Sequence, residues 1–295
     1  MTGPTRSRVN DEFGQRRDTS RPPLPEPLPV PVVDNHCHLD IEDGTEWLDP
    51  GEALDLAAQV GVPRIVQVGC DLAGAAWAVE TAGRYDAIVA AVALHPNEAP
   101  RLAAEGRLEE GLAEIERLAA SSERVRAIGE TGLDYYRTAP DGRAEQRRSF
   151  EAHVDMAKRL GKTLVIHDRD AHDDVLDVLD TFGMPERTVL HCFSGDAEFA
   201  KRCLDRGAFL SFAGTVTFKN AQPLRDALAL APRDQILVET DAPFLTPMPH
   251  RGRPNASYLI PTTVRAMAEV RGDDLATLCG AIRNNTDKAF GGTWG

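Results

Sequence analysis

Residues 32–40, VVDNHCHLD, run from a β-branched apolar pair straight into two histidines, a cysteine and two aspartates. In an extended strand successive side chains face opposite ways. His36 and His38 therefore share a face, and Cys37 takes the other. Two imidazoles on one face can reach a single ion, and the thiol cannot join them unless the strand breaks. Asp34 has the parity of the histidines and lies deeper, where it is expected to orient a ligand. Asp40 falls past the expected strand end, in a loop or helix-cap position. What this stretch decides about the fold depends on whether the pattern, an apolar run closed by polar metal-ligand types, recurs.

It recurs along the whole chain. After PVVDNH come RIVQVGC, AIVAAVALH, VRAIGE, TLVIH, TVLHCF, AFLSF and QILVET, eight β-type runs in all, separated by longer helix-type segments. That spacing suits βα units. Leu108, Leu112, Ile115 and Ala119 form one helical face, and Phe150, Val154, Ala157 and Leu160 another, with Gly161 placed to stop the second helix. Eight strands with intervening helices and no linker predict a single (β/α)8 TIM-like barrel over 31–295. A doubly wound open sheet would want a glycine-rich phosphate turn after its first strand, and none follows PVVDNH.

In such barrels the active site sits at the C-terminal strand ends. Here those ends carry His36 and His38, His95, Glu130, His167, His191 and Asp241. Gly129 and Gly132 flank Glu130 and leave room for close approach of backbone. A carboxylate after AIG, and imidazoles closing otherwise apolar runs, need ions or hydrogen-bond partners. Glu239 alternates with Asp241 and is expected either to hold a ligand in place or to form a buried ion pair. Four ligating histidines and two carboxylates are enough for two divalent ions with a shared oxygen donor. Imidazole with carboxylate suits Zn or Mn, and a carboxylate-rich half suits Mg. A two-ion site points to hydrolysis, with displacement at phosphorus as one such reaction.

Bulk properties narrow the classes. With 295 residues, 42% hydrophobic and 27% charged, the chain has the composition of a globular protein without an apolar run of membrane-spanning length. The N-terminus has basic residues but no apolar signal core, so a cytoplasmic location is expected. Five well-spaced cysteines without a CxxC pair do not read as a disulfide framework. Cys192, Cys203 and Cys279 are expected as core thiols. A net charge of −13 argues against indiscriminate adsorption to nucleic acid and leaves polyanion binding to bound cations or a local basic patch. Residues 1–30, rich in Pro and Arg, are expected to be a disordered tail.

Taken together, DNHCHLD, ALHP, AIGETGLDYY, VIHDRDA, HCFSG, FAGTVTFKNA, VETDAPFL and NNTDKAFG, in this order over about 32–290, resemble the TatD family of metal-dependent deoxyribonucleases. The resemblance implies that His36, His38, Glu130 and Asp241 hold one divalent ion. It further implies that Glu130 bridges to a second ion on His167 and His191, and that His95 lies near the scissile phosphate. Asp241 would position the attacking water. The substrate it implies is DNA, often a single strand degraded 3′ to 5′, with Mg, Mn or Zn as the ions. Candidate phosphate contacts are Arg169, Lys219, Arg251 and Arg253, and Tyr135 and Tyr136 are candidates for base stacking. Where many members have Asn-Glu-Pro this chain has RPNASYL, which keeps Asn255 alone. Two other readings stay open: an amidohydrolase or esterase on a small molecule or aminoacyl ester, and a metal-binding scaffold without turnover.

Overall fold

The computed structural model describes residues 3–8, 17–44, 46–292 and 294. The barrel strands are β1 (Val33–Cys37), β2 (Arg64–Gly69), β3 (Ile88–Val92), β4 (Val125–Asp134), β5 (Thr163–Arg169), β6 (Thr188–Leu190), β7 (Phe209–Phe212) and β8 (Ile236–Val238). Every neighbouring pair is parallel and consecutive. The seam between β1 and β8 is joined by Asp241 N–H donating to His36 O at 2.9 Å and His38 N–H to Ala242 O at 2.8 Å. The Asn35 side chain adds a bond to Val238 O at 2.6 Å. This is the (β/α)8 barrel that the spacing predicts.

The interior of the barrel is filled by small and branched residues taken at every second position: Val66 and Val68, Val89 and Ala91, Ala127, Val165, Val189 and Leu237. Phe290, at the end of the last helix, belongs to the same cluster and closes it. Larger side chains such as Phe150, Ile115 and Leu164 pack in the layer between strands and helices. Because parity is conserved along a strand, the inward column that contains Val165, Val189 and Leu237 continues two residues later into His167, His191 and Glu239. The functional groups are thus the last layer of the core.

Two strands break the regular pleat. Between Asp34 and Cys37 the pairing of β1 with β2 shifts register, and between Ile128 and Thr131 so does that of β4 with β5. In each case three steps on one strand face two on the other, the count of a β-bulge, which re-aims side chains locally. The bulged residues include His36 in one strand and Glu130 in the other. Glycine is required here: a Cβ on Gly129 would sit 2.5 Å from Cβ of Val165, and one on Gly132 would overlap the carbonyl oxygen of His167.

Of the N-terminal tail expected to be disordered, residues 1, 2 and 9–16 lie outside the described residues, and the described parts make contacts with the barrel. Arg6–Arg8 pairs in parallel with Ile41–Asp43 as a two-stranded ribbon outside the barrel. Further on, Tyr258 Oη donates to Pro22 O at 2.7 Å, Arg253 donates to Arg21 O at 2.6 Å, and Leu28 is buried. The partners are largely backbone carbonyls, which proline-rich chain leaves unpaired because it forms no internal ladder.

Candidate metal centre

At the C-terminal mouth, Glu130 stands between imidazoles from several strands. Its Oε2 lies 3.0 Å from Nε2 of His36 and 2.8 Å from Nε2 of His191; its Oε1 lies 3.1 Å from Nε2 of His95 and 3.9 Å from Nδ1 of His167. Asp241 Oδ1 is 3.3 Å from Nε2 of His38 and 3.8 Å from that of His36. All of the residues singled out as ligands therefore meet in one place.

Four of the five imidazoles are held by their other nitrogen. His38 Nδ1 is 3.0 Å from Val68 O, and His191 Nδ1 is 3.2 Å from Glu239 Oε1, which also accepts from Cys192 N–H at 2.9 Å. These contacts orient both rings and turn Nε2 inward, that of His38 to 3.3 Å from Asp241 Oδ1 and that of His191 to 2.8 Å from Glu130 Oε2 and 3.4 Å from His167 Nδ1. His95 Nδ1 instead accepts from Asn97 N–H at 3.1 Å, which leaves an N–H at Nε2 pointing into the site. His167 Nε2 lies 3.4 Å from Asp134 Oδ2, so its Nδ1 faces Glu130. His36, stacked on His191 at 3.9 Å, has neither ring nitrogen in a hydrogen bond among the described residues.

The electrostatics match this arrangement. Burial alone would push the Glu130 carboxyl up, but the neighbouring imidazoles of His191, His95 and His36 outweigh it and hold the carboxyl well below its ordinary range. Burial, reinforced by His191, lowers the imidazole of His36, and burial also lowers that of His95. Asp134, against the opposing effect of burial, is brought down to about 2 by the His167 bond and by Arg137 N–H. Asp34, buried beneath the site, goes the other way to about 6, because burial outweighs its bonds from Thr240. Those bonds, at 2.9 Å from the Thr240 N–H and 2.6 Å from its hydroxyl, tie the bottom of the β1 motif to the loop that bears Asp241.

The donor set fits divalent cations. Three groups have donor atoms mutually within 4.8 Å: His36, His38 and Glu130; His36, His191 and Glu239; and His95, Glu130 and His167. Glu130 is common to two of them, one on each side of it. The buried His36 nitrogens and Glu130 Oε2, which satisfy no hydrogen bond, are the orphaned lone pairs that ion binding would occupy.

Around the centre opens a cavity of about 630 Å³. Of the proposed phosphate contacts, Arg169 lines it, with its guanidinium 3.8 Å above the ring of Tyr136, a residue 61% exposed. The other three depart from the expectation. Lys219, Arg251 and Arg253 are not among its lining residues; Arg251 packs 4.2 Å over Phe218, and Arg253 is taken up by Ser20 and Arg21. Tyr135 donates its hydroxyl to Asp174 and sits under Arg143. Cys192 also differs: β6 ends at Leu190, Cys192 takes a positive φ of 41°, and the residue is among those lining the cavity. Asp40 lies in the turn past the strand end, as expected, and is buried there, accepting from Gln67 and Thr5.

Reasoning from the sequence missed Asp134, Asp168, Cys70 and Arg6, all of which line the cavity. Asp134 shares parity with Glu130 and would have been found had β4 been extended four residues further. Asn255, retained from the family loop, donates to Thr240 O and Phe244 O at 2.9 and 2.6 Å and so braces the turn that presents Asp241.

Comparison with known proteins agrees with this architecture. The family model described as TatD related DNase matches residues 33–291. The uncharacterized metal-dependent hydrolase TatD of Mycobacterium tuberculosis is 45% identical over 270 residues, covering 89% of this chain and 99% of the relative. The uncharacterized metal-dependent hydrolase YcfH of Escherichia coli K12 is 37% identical over 262 residues, 88% of this chain and 95% of its own. The crystal structure of YjjV, a TatD homologue from E. coli K12, superposes with a TM-score of 0.78 at 27% identity, over 88% of this chain and 97% of that one. The chain belongs to the TatD-related DNase family.

Proposed function

We propose that this protein is a metal-dependent hydrolase of phosphodiester bonds in DNA, acting at the 3′ end of single strands. The observation that carries the reading is the position of Glu130 between two sets of imidazoles, His36 with His38 on one side and His95 with His167 on the other. His36, His38, Glu130 and Asp241 would hold one divalent ion, and Glu130, His167 and His191 a second. Two ions so placed would supply Lewis acidity toward a phosphoryl oxygen and acidify a water molecule.

The chain's own groups supply the rest. Asp241 is the carboxylate placed to orient the attacking water and take up its proton, with His38 at 3.3 Å and His36 at 3.8 Å beside it. His95 presents an Nε2–H, fixed by Asn97, toward a phosphate or leaving-group oxygen. Glu239 keeps His191 oriented, and Arg169 on Tyr136 offers a charged, partly exposed platform for the strand. No described helix is long and apolar enough to cross a membrane.

The test is purified protein with end-labelled single-stranded DNA, an aminoacyl-tRNA and an activated phosphodiester, each with Mg, Mn and Zn. Metal-dependent shortening of the DNA from its 3′ end, lost in Glu130→Ala with the fold retained, is the expected result. Cleavage of the aminoacyl ester alone would favour an esterase, and normal DNA cleavage by Glu130→Ala would sink the shared-carboxylate assignment.

A further inference from the structure

We propose that the N-terminal segment is an accessory substrate-binding arm, with Arg6 contacting a phosphate of the DNA strand held at the mouth. The inference rests on the phosphodiesterase reading above and extends it to a part of the chain that the family match, which begins at residue 33, does not include. The relatives are matched over almost their whole length while covering under nine-tenths of this chain, so the arm is an addition to the shared barrel.

Three observations place it. The ribbon pairs Arg6 with Ile41 and Arg8 with Asp43, only a few residues past His38, so it is laid on the very loop that leaves the metal-ligand motif. Arg6 and Arg8 have the same parity, and both turn toward the barrel: Arg6 lines the cavity, and Arg8 lies 5.0 Å over the ring of Phe244, which lines it too. Arg6 also reaches the Cys70 thiol, itself 3.7 Å from Glu130 Oε1. A guanidinium is thereby carried to the edge of the proposed reaction centre.

The pairing of Arg6 leaves capacity for a ligand. Its bond to a carboxylate, Nη2 to Asp40 Oδ2, is long at 3.4 Å, and its Nε is buried without a hydrogen-bond partner among the described residues. Asp40 does not depend on it, because Thr5 Oγ1 donates to Oδ2 at 2.6 Å and Gln67 to Oδ1 at 3.0 Å. With five N–H donors in a fixed fork, Arg6 retains the geometry for a phosphate. Electrostatics give the reason to add such a group. The chain carries a net −13, and the cavity walls include Glu98, Asp71, Asp134 and Asp168 besides the proposed ligands. A polyanion entering there is repelled except where Arg6, Arg137 and Arg169 line the way.

The experiment uses the full chain as wild type, Arg6→Glu, Arg6→Lys and Thr5→Ala. Turnover is measured on a single-stranded oligonucleotide and on bis(p-nitrophenyl) phosphate, and oligonucleotide affinity against salt by fluorescence anisotropy. Arg6→Glu is expected to raise the oligonucleotide KM by roughly tenfold with kcat little changed. It should lower the oligonucleotide-to-small-diester ratio of kcat/KM and flatten the salt slope by about 0.7, the share of one single-strand phosphate contact. Arg6→Lys should restore most of the affinity, and Thr5→Ala, which loosens the arm without touching the charge, should shift KM the same way by less. Wild-type KM and salt slope in Arg6→Glu overturn the proposal. So does equal impairment of Arg6→Glu and Arg6→Lys with a lowered Tm, the mark of a structural ion pair, or a gain in kcat/KM, the mark of a plug. Wild-type protein that turns over the small diester without binding the oligonucleotide overturns the arm alone; protein that turns over neither overturns the phosphodiesterase reading as well.

Discussion

His153 makes a pH-dependent contribution to stability whose size follows from its surroundings. It lies in the helix Arg143–Leu160 and is fully buried. Its Nδ1–H donates to Ser149 O at 2.7 Å and its Nε2 accepts from Leu94 N–H at 3.2 Å. The ring is thus committed to one neutral tautomer, and a proton on Nε2 would meet the Leu94 N–H head on. Burial carries its pKa from the ordinary 6.5 to about 4. The sign is that of a depressed base: above pH 6.5 the ring is neutral folded and unfolded, and no stability depends on it. Below 6.5 the unfolded ring takes a proton that the folded one refuses, so stability falls until pH passes below about 4. At about 1.4 kcal/mol per pH unit the loss is about 2 kcal/mol at pH 5 and approaches about 3 kcal/mol below pH 4. Urea unfolding followed by far-UV circular dichroism, at pH 8 and pH 5 in excess chelator, measures it in wild type and His153→Gln. Groups that titrate in both proteins cancel in the comparison, so the wild type should lose about 2 kcal/mol more than the variant on going to pH 5. Equal losses in the two proteins would refute the reasoning, whatever the variant's stability at pH 8.

Three further outcomes are expected. Glu239→Gln, which removes the carboxylate that fixes the His191 ring, should weaken divalent-ion binding by roughly 10- to 100-fold in calorimetric titration, with the Tm of the metal-free protein little altered. Gly132→Ala should destabilise the fold by about 2–4 kcal/mol in urea unfolding, since the residue takes a φ of +139° and its new Cβ would overlap the His167 carbonyl. Asn255→Ala leaves the Thr240 and Phe244 carbonyls without a side-chain donor; it should cost about 1–3 kcal/mol of stability and lower kcat more than KM, by loosening Asp241.

Much of the site is legible because it obeys the same alternation as the core. Val165 and His167, Val189 and His191, and Leu237 and Glu239 are inward pairs two residues apart, and an apolar run that ends on a histidine carries that arrangement in plain sight. Alternation also separates Cys37, buried among the helices, from His36 and His38. It fails where the strand stops. Cys192 lies beyond β6 in a left-handed conformation, and its neighbour's parity says nothing about it. Asp134 was hidden by the opposite error, because the run VRAIGE ends at Glu130 while β4 continues past Gly132, where it lies close against His167 of β5. The N-terminal segment was opaque for a third reason. It is held through single atoms, its own carbonyls at Arg21 and Pro22 accepting from Arg253 and Tyr258 and its Thr5 hydroxyl donating to Asp40, and such bonds leave no periodicity to detect.

The two bulges explain why Glu130, and no other carboxylate of the mouth, sits at the junction of the site. A regular pleat sends consecutive residues to opposite faces, so a side chain that must face inward between His36 and His191 cannot follow Ile128 and Gly129 in strict alternation unless a residue is added. The extra step in β4, opposite Val165, supplies that residue, and the matching step in β1 brings His36 within 3.0 Å of the carboxylate. The adjustment in β4 is a backbone feature that leaves no room for a side chain at Gly129 or Gly132. It follows that substitutions at these glycines should disturb ion binding as much as loss of a ligand would, although neither residue carries a donor. The geometry of the centre is therefore set partly by residues without a donor, in the fit of β4 against β5.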